Sequence, residues 1–377
     1  MRIKKLLICC SVLAMLAGCA EQKKPTSSTP EVYSNTAVDE IFDTVYSYKE
    51  FTNDRDTAKK HFDSSVEILK HCNDLFDIYN EYDVLNNLKT INDNAGIAPV
   101  KTDPIIIQML ERAKDFYDYS NGEFDITSGS LLKVWHNYRE EGITLNENGE
   151  KGKLPTQEEL TEAASHKGWD SIEIDKENNT VFIKDPNIAL DVGGIAKGFS
   201  AELAAKKLEE EGMESGFLNV GRNIRLVGMK NGDENWTTGI ADPDGLLPNG
   251  IVSIELDHPL SVVTSGDYER YYIAEDGNKY SHIIDPITMQ PARYYRSVSI
   301  FTEDSGDADC LSTALFTMSL EEGKQLLKTY EEKNGKKADA IWIMDQDKSQ
   351  GQDGKKIANY VITWTNGLEG KLTWALS

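Results

Sequence analysis

Four stretches of this 377-residue chain gather side chains that could do chemistry. In Ala189-Leu190-Asp191-Val192-Gly193-Gly194-Ile195-Ala196-Lys197-Gly198, a strand ends at an acid, two glycines turn the chain and a helix begins. The free amides of such a helix start favour anions, and Lys197 adds charge. The spacing matches neither the phosphate-loop nor the dinucleotide-binding glycine pattern, so a plain strand-to-helix turn stays open beside an anion site. In Gly306-Asp307-Ala308-Asp309-Cys310-Leu311-Ser312-Thr313-Ala314, Asp309 and Thr313 stand four apart and share one helical face. A carboxylate and a hydroxyl are hard oxygen ligands, suited to magnesium that shares its shell with phosphate oxygens. The same residues also read as a cap, with Asp307 or Asp309 starting the helix and Thr313 bonding back to the preceding turn.

The third stretch, Tyr280-Ser281-His282-Ile283-Ile284-Asp285-Pro286, ends a strand. Six histidines occur and no pair has zinc spacing. His282 with Asp285 could supply a general base near a metal, while Asp-Pro serves equally as turn chemistry. The fourth pairs Asn121-Gly122-Glu123-Phe124-Asp125-Ile126-Thr127 with Ser261-Val262-Val263-Thr264-Ser265-Gly266-Asp267. These hydroxyl-rich, acidic runs fit hydrogen bonding to a polar ligand and fit ordinary turns as well.

The elements that must carry these stretches follow from periodicity and punctuation. Ile41 to Tyr48 reads as a strand, and Phe62, Val66, Leu69, Phe76 and Tyr79 mark one face of a helix. Asp103-Pro104 opens a second helix, carrying Ile106, Leu110, Ala113 and Tyr117. Thr156 with Glu159 forms a capping-box pattern for a third. Asn178-Asn179 turns a hairpin between Ile172/Ile174 and Val181/Ile183. Further strands are expected at Ile251 to Leu256, Ser261 to Thr264 and Tyr271 to Ile273, with Asp276-Gly277 turning into Tyr280 to Ile284. Asn366-Gly367 should turn between Tyr360 to Thr365 and Lys371 to Ala375. Helices are expected from Ile195 to Glu211, ended by Gly212, and from Asp307 to Met318, with another starting at Ser319. Helices flanking mostly antiparallel hairpins argue an α+β fold, one domain over residues 38–377, against a doubly wound parallel sheet.

The first residues read as an address. Arg2, Lys4 and Lys5 precede the apolar run Leu6 to Leu16, too short to span a bilayer. Leu16-Ala17-Gly18-Cys19 resembles a bacterial lipobox, which implies residues 1–18 as a lipoprotein signal, lipidation at Cys19 and an extracytoplasmic protein held to a membrane. A plain secretory signal is the alternative. Residues 19–37 hold almost nothing apolar and read as a disordered tether. The formal charge of −23 argues against nucleic acid as a partner. Of five cysteines, Cys72 and Cys310 would remain as thiols, so a disulfide framework is not expected, although one long-range bridge stays open.

Six of these pieces, taken in order, resemble the ApbE-like FAD:protein FMN transferases. They are Gly122 to Asp125, Leu190 to Gly198, Asn219-Val220-Gly221, Val263 to Gly266, Ser281 to Pro286 and Ala308 to Leu315. Each alone is weak, but six in family order are specific, and the resemblance covers nearly all of residues 38–345. It implies an enzyme that uses magnesium to move the FMN half of FAD onto a serine or threonine hydroxyl of an extracytoplasmic acceptor protein, releasing AMP. It places FAD between Glu123-Phe124-Asp125 and the turn from Asp191 to Lys197, with Thr264 and Ile284 lining the site and Tyr79 on the isoalloxazine. By the same likeness Asp309, Thr313 and the Gly194 carbonyl hold magnesium, and His282 with Asp285 activates the acceptor hydroxyl.

The chain departs from the family's Asn-x-Gly-Gly-Asp, which is here Asn219-Val220-Gly221-Arg222-Asn223. Its Thr-Gly-x-Pro has become Thr288-Met289-Gln290-Pro291, and a usual Met-Gly-Thr keeps only the threonine in Ile41-Phe42-Asp43-Thr44. Two other readings stand: hydrolysis of FAD to FMN and AMP with water as acceptor, and a lipid-anchored flavin- or solute-binding protein without catalysis.

Overall fold

A computed structural model of the chain describes residues 31–349 and 351–376. The lipobox, Cys19 and the signal lie outside the described residues. The backbone of the molecule is a nine-stranded sheet. Its strands lie in the order Val32–Ile41, Thr44–Phe51, Gly216–Val220, Asn223–Val227, Ser261–Gly266, Ser297–Thr302, Ala338–Asp345, Tyr360–Trp364 and Lys355–Ile357. Every strand pair in it is antiparallel, as expected for α+β.

Alternation along the central strands explains why both faces are covered. Ala338, Ala340, Trp342 and Met344 enter one core while Ile341 and Ile343 enter the other, and Val263 and Val262 divide the same way. The first core lies under helices α1 (Arg55–Phe76), α2 (Leu88–Asp93), α3 (Pro104–Tyr119), α4 (Gly129–Glu147), α5 (Gln157–Ser165), α6 (Ala196–Glu210), α7 (Ser305–Thr317) and α8 (Leu320–Asn334), with α4 and α5 on a satellite cluster around Trp135. The second lies under a three-stranded sheet of Trp236–Ile240, Val252–Leu256 and Leu372–Trp374.

Several expectations need correction. Residues 32–37, read as tether, belong to the first strand, because each pairs with the strand after it. Ile41 to Tyr48 is not one strand: Phe42 and Asp43, at φ 50° and 49°, turn the chain between two. Helix α1 stops at Phe76, so Tyr79 lies beyond it in a turn whose amides bond to Asp77. The run from Tyr280 breaks at His282, between Lys279–Ser281 and Ile284–Asp285. Asn366-Gly367 starts a short 3-10 turn, and Leu372–Trp374 crosses over to pair with Val252–Leu256. Helix α4 was not legible at all. Cys72 and Cys310 are free and buried.

Candidate functional site

The site is built on the seam between α6 and α7. A Cβ on Gly198 would lie 2.2 Å from the Ser305 carbonyl oxygen and 2.6 Å from Asp309 Cβ, so only glycine lets the two helices touch backbone to side chain. That approach lets the Gly198 amide donate to Asp309 Oδ2 at 2.9 Å. Asp309 is 4% exposed, and its other oxygen has no hydrogen-bond partner among the described residues. Burial pushes its carboxyl pKa up, opposed by the nearby Lys197 ammonium and the Gly198 N–H. The cap expected at Asp307 or Asp309 falls instead to Asp304, whose carboxylate accepts from the Gly306 and Asp307 amides. Arg112 ties Asp304 and Asp307 together, and Tyr330 donates to Asp307 at 2.8 Å. Asp309 is therefore spared from holding the helix end.

Thr313 sits one turn further along α7, against Gly194. A Cβ on Gly194 would come within 3.1 Å of the Thr313 hydroxyl and of the Phe124 ring. Carboxylate, hydroxyl and the Gly194 backbone thus share one corner, and an all-oxygen donor set of this kind suits a hard divalent cation. No cluster of three or more His, Cys, Asp or Glu side chains able to hold a metal occurs among the described residues.

The segment before α6 is extended, not a regular strand. The Asn92 side chain bonds both ways to Leu190, replacing a strand neighbour, and Asp191 N donates to the Ile126 carbonyl at 2.8 Å. Asp191 then accepts from the Gly193 amide at 2.9 Å, closing the turn. Burial raises its carboxyl pKa against the pull of that amide, His136, Arg139 and Lys197. Asp125 is spent within its own loop, accepting from Thr127 N, Thr127 Oγ1 and Ser128 Oγ. Glu123 is different. Its Oε2 is buried with no hydrogen-bond partner among the described residues, and burial, then Asp285, push its pKa up to about 7. Thr264 meets Ser299 across the strand pair, hydroxyl to hydroxyl at 2.7 Å.

His282 occupies the break between two short strands. Its amide and Nδ1 both lie on the Arg270 carbonyl, at 3.0 and 3.3 Å. A carbonyl only accepts, so Nδ1 carries the proton and Nε2 keeps a free lone pair. Burial, followed by Arg139, Lys197 and Arg270, pushes its pKa down to about 3, so the ring is neutral near pH 7. Asp285 does not orient it. Its Oδ1 accepts from the Ile287 and Thr288 amides and its Oδ2 from the Thr288 hydroxyl, the turn alternative left open by the sequence. Ile284 packs instead with Leu131, Trp135 and Tyr280 in the satellite cluster. Tyr79 is 61% exposed and its ring centroid lies 5.6 Å from that of His136.

The cations Arg139 and Arg270 were missed by sequence reasoning, as was His136. With Lys197, these two arginines lie close enough to His282 to depress its protonation, in a chain of net charge −23. The available signal was the i, i+3 spacing of His136 and Arg139 on one helical face.

The antiparallel α+β fold that carries this site is shared with known proteins. The model of the ApbE family matches residues 42–337, and the chain belongs to that family. It is 34% identical to the FAD:protein FMN transferase of Treponema pallidum over 64% of this chain and 68% of that protein. It is 28% identical to the FAD:protein FMN transferase of Klebsiella pneumoniae over 84% of this chain and 90% of that one. Among solved structures, the ApbE protein of Thermotoga maritima superposes with a TM-score of 0.70 at 30% identity, covering 83% of this chain and 94% of its own. The flavin transferase ApbE of Vibrio cholerae, at 22% identity and a TM-score of 0.67, shares the fold.

Proposed function

We propose that this protein is an FAD:protein FMN transferase. The observation that carries the reading is the α6–α7 corner, where Asp309, Thr313 and Gly194 gather oxygen donors close to Lys197, which also acts on His282. Asp309, Thr313 and the Gly194 carbonyl would hold magnesium. Magnesium bound there would neutralise the pyrophosphate of FAD against attack by a hydroxyl. The remaining work falls to the chain. Lys197, Arg139 and Arg270 attract the pyrophosphate, and Tyr79 offers a stacking face. A serine or threonine hydroxyl is a weak nucleophile, so its proton must leave as the new bond forms. His282 Nε2 takes that proton. The hydroxyl oxygen bonds to the FMN phosphorus, the bond to the AMP phosphate breaks, and AMP leaves with the electron pair. The bound pyrophosphate offsets the surrounding cations and raises the basicity of His282 where it is needed. Asp285 shapes the loop that carries the histidine.

The N-terminal pattern supports attachment through a lipidated Cys19 outside the cytoplasm, and among the described residues no helix is long and apolar enough to cross a membrane. The test uses the chain from residue 31 with FAD, magnesium and a candidate acceptor protein. A magnesium-dependent flavin-fluorescent acceptor band on a denaturing gel, with matching AMP, is the expected result. AMP without that band in every acceptor tried would move the reading to FAD hydrolysis, and bound but intact FAD would leave a carrier.

A further inference from the structure

The chain from Gly194 through α6 meets α7 at three places. A Cβ on Gly194 would lie 3.1 Å from Thr313 Oγ1. The Gly198 amide donates to Asp309 Oδ2, and the Ser305 amide donates to Glu202 Oε2 at 2.8 Å. Each step of four residues up the first segment is answered by four residues down the second, so the two run antiparallel in one register. The first two contacts make the metal corner. The third lies outside it.

That third contact is anchored in the sheet. Glu202 is 5% exposed, and its Oε2 also accepts from Arg225 Nε at 2.9 Å. Arg225, on the strand Asn223–Val227, donates in turn to the Leu226 carbonyl and to Glu209. The carboxylate is thus held from behind while it faces α7. The amide it takes is the first of those that the α7 start leaves free, and Asp304 satisfies the next two. A cap within α7 sets no height against α6, whereas a bond from α6 does. A slip of one residue would turn α7 by about 100° and carry Asp309 and Thr313 away from Gly198 and Gly194. The Gly198–Asp309 bond is a poor guard against that slip, because it draws on the carboxylate that a cation needs.

We infer that Glu202 is a positioning residue. By holding the Ser305 amide it sets the register of α7 on α6, and so brings Asp309 and Thr313 to the Gly194 carbonyl as one ligand set for a divalent cation, an assignment that rests on the magnesium reading of that corner.

Manganese(II) alone, titrated into the protein and followed by loss of the free ion's paramagnetic resonance signal, tests this. The site that counts is the one Asp309→Asn removes. Glu202→Ala and Ser305→Pro break the same bond from its two sides. Proline suits the first helical position, Asp304 before it is already extended at φ −102° and ψ 125°, and the Ser305 hydroxyl has no hydrogen-bond partner among the described residues. Both variants should weaken manganese about tenfold to a hundredfold, as loss of a group that orients metal ligands does. Glu202→Gln, whose carbonyl can accept from both donors, should stay within about threefold of wild type. Leu208→Ala, a cavity in the α6 core away from this bond, should destabilise the fold and leave manganese within about twofold. Unchanged affinity in Glu202→Ala or Ser305→Pro would overturn the inference and leave the metal corner standing. So would a loss in Glu202→Gln equal to that in Glu202→Ala, which would make the charge and not the held amide responsible, or an equal loss in Leu208→Ala, which would mark general loosening. A wild type without manganese binding that depends on Asp309 would overturn the metal reading itself, and the inference with it.

Discussion

Asp309 and Asp285 are both buried carboxylates in glycine- or proline-marked segments, yet the two regions use them in opposite ways. At the α6–α7 seam, Asp309 gives one oxygen to the Gly198 amide and keeps the other without a partner among the described residues. At the turn after His282, Asp285 gives both oxygens to Ile287 and Thr288. Burial does not distinguish them. What does is how many donors the local backbone turns toward each, because a carboxylate whose lone pairs are already filled has little left for a ligand. The seam has its cap in Asp304, so Asp309 is spared; the turn has no other residue to close it, so Asp285 is consumed.

The sharpest way to break this comparison is Asp309→Asn. The amide oxygen can still accept from Gly198, so the seam should survive, while the charge that would hold magnesium is gone. FMN transfer should fall on the order of 10³-fold, the several kcal/mol a metal contributes to charge neutralisation. Thermal unfolding without magnesium should be unchanged or slightly later, since burial already disfavours the ionised carboxylate. Added magnesium should raise the unfolding temperature of the wild type and not that of this variant. Transfer within tenfold of wild type would remove Asp309 from the metal corner.

His282→Gln and Asp285→Asn test the other side together. Replacing a general base costs roughly 10²–10⁴-fold, and His282→Gln should fall in that range by AMP release. Asparagine at 285 retains an oxygen for the two amides and an NH2 that can donate to the Thr288 hydroxyl. Its effect should stay below about 1 kcal/mol in stability, with transfer within about fivefold of wild type. A loss at Asp285→Asn equal to that at His282→Gln would restore the two as a working pair.

Local punctuation made part of this legible. The helix starts at Asp103-Pro104, Thr156/Glu159 and Ser319/Glu322 all bear capping bonds. Helix α4 gave no such sign, because Ser128 makes no side-chain cap and Gly129 and Gly142 interrupt its propensity. Those glycines answer to distant partners: a Cβ on Gly142 would lie 2.3 Å from the Tyr272 ring. The turn at Phe42-Asp43 was hidden for the converse reason, since one of its two left-handed positions is held by Phe42, a bulky residue that seldom adopts that conformation. In the site, the segment around Asp191 and the run through Asp309 could be seen separately. That Gly198 joins them, and that Arg139 and Arg270 reach His282, depends on packing between segments far apart in sequence.

The smallest effect concerns the carboxylate that belongs to neither pattern. Glu123 has one buried oxygen with no hydrogen-bond partner among the described residues, facing Asp285 from the turn, Glu322 from α8, Thr317 from α7 and Lys167 from the loop after α5. Burial, then Asp285, holds its folded-state pKa at about 7, above the ordinary 4.5. A group whose pKa is higher folded than unfolded favours the fold fully below the unfolded value and loses that contribution as pH rises through the folded one. Glu123 therefore works against the fold increasingly between pH 5 and 8, and Glu123→Gln should unfold later than wild type by a margin that widens over that window. The gap at pH 8 should be roughly 1–2 °C, as expected for a partly exposed group in a domain of this size. Asp285→Asn should narrow it, because removing the neighbouring charge lets Glu123 ionise more easily. A gap that is flat with pH, or that widens on acidification, would mean that Glu123 is already paired and that the turn at Asp285 imposes nothing on the loop facing it.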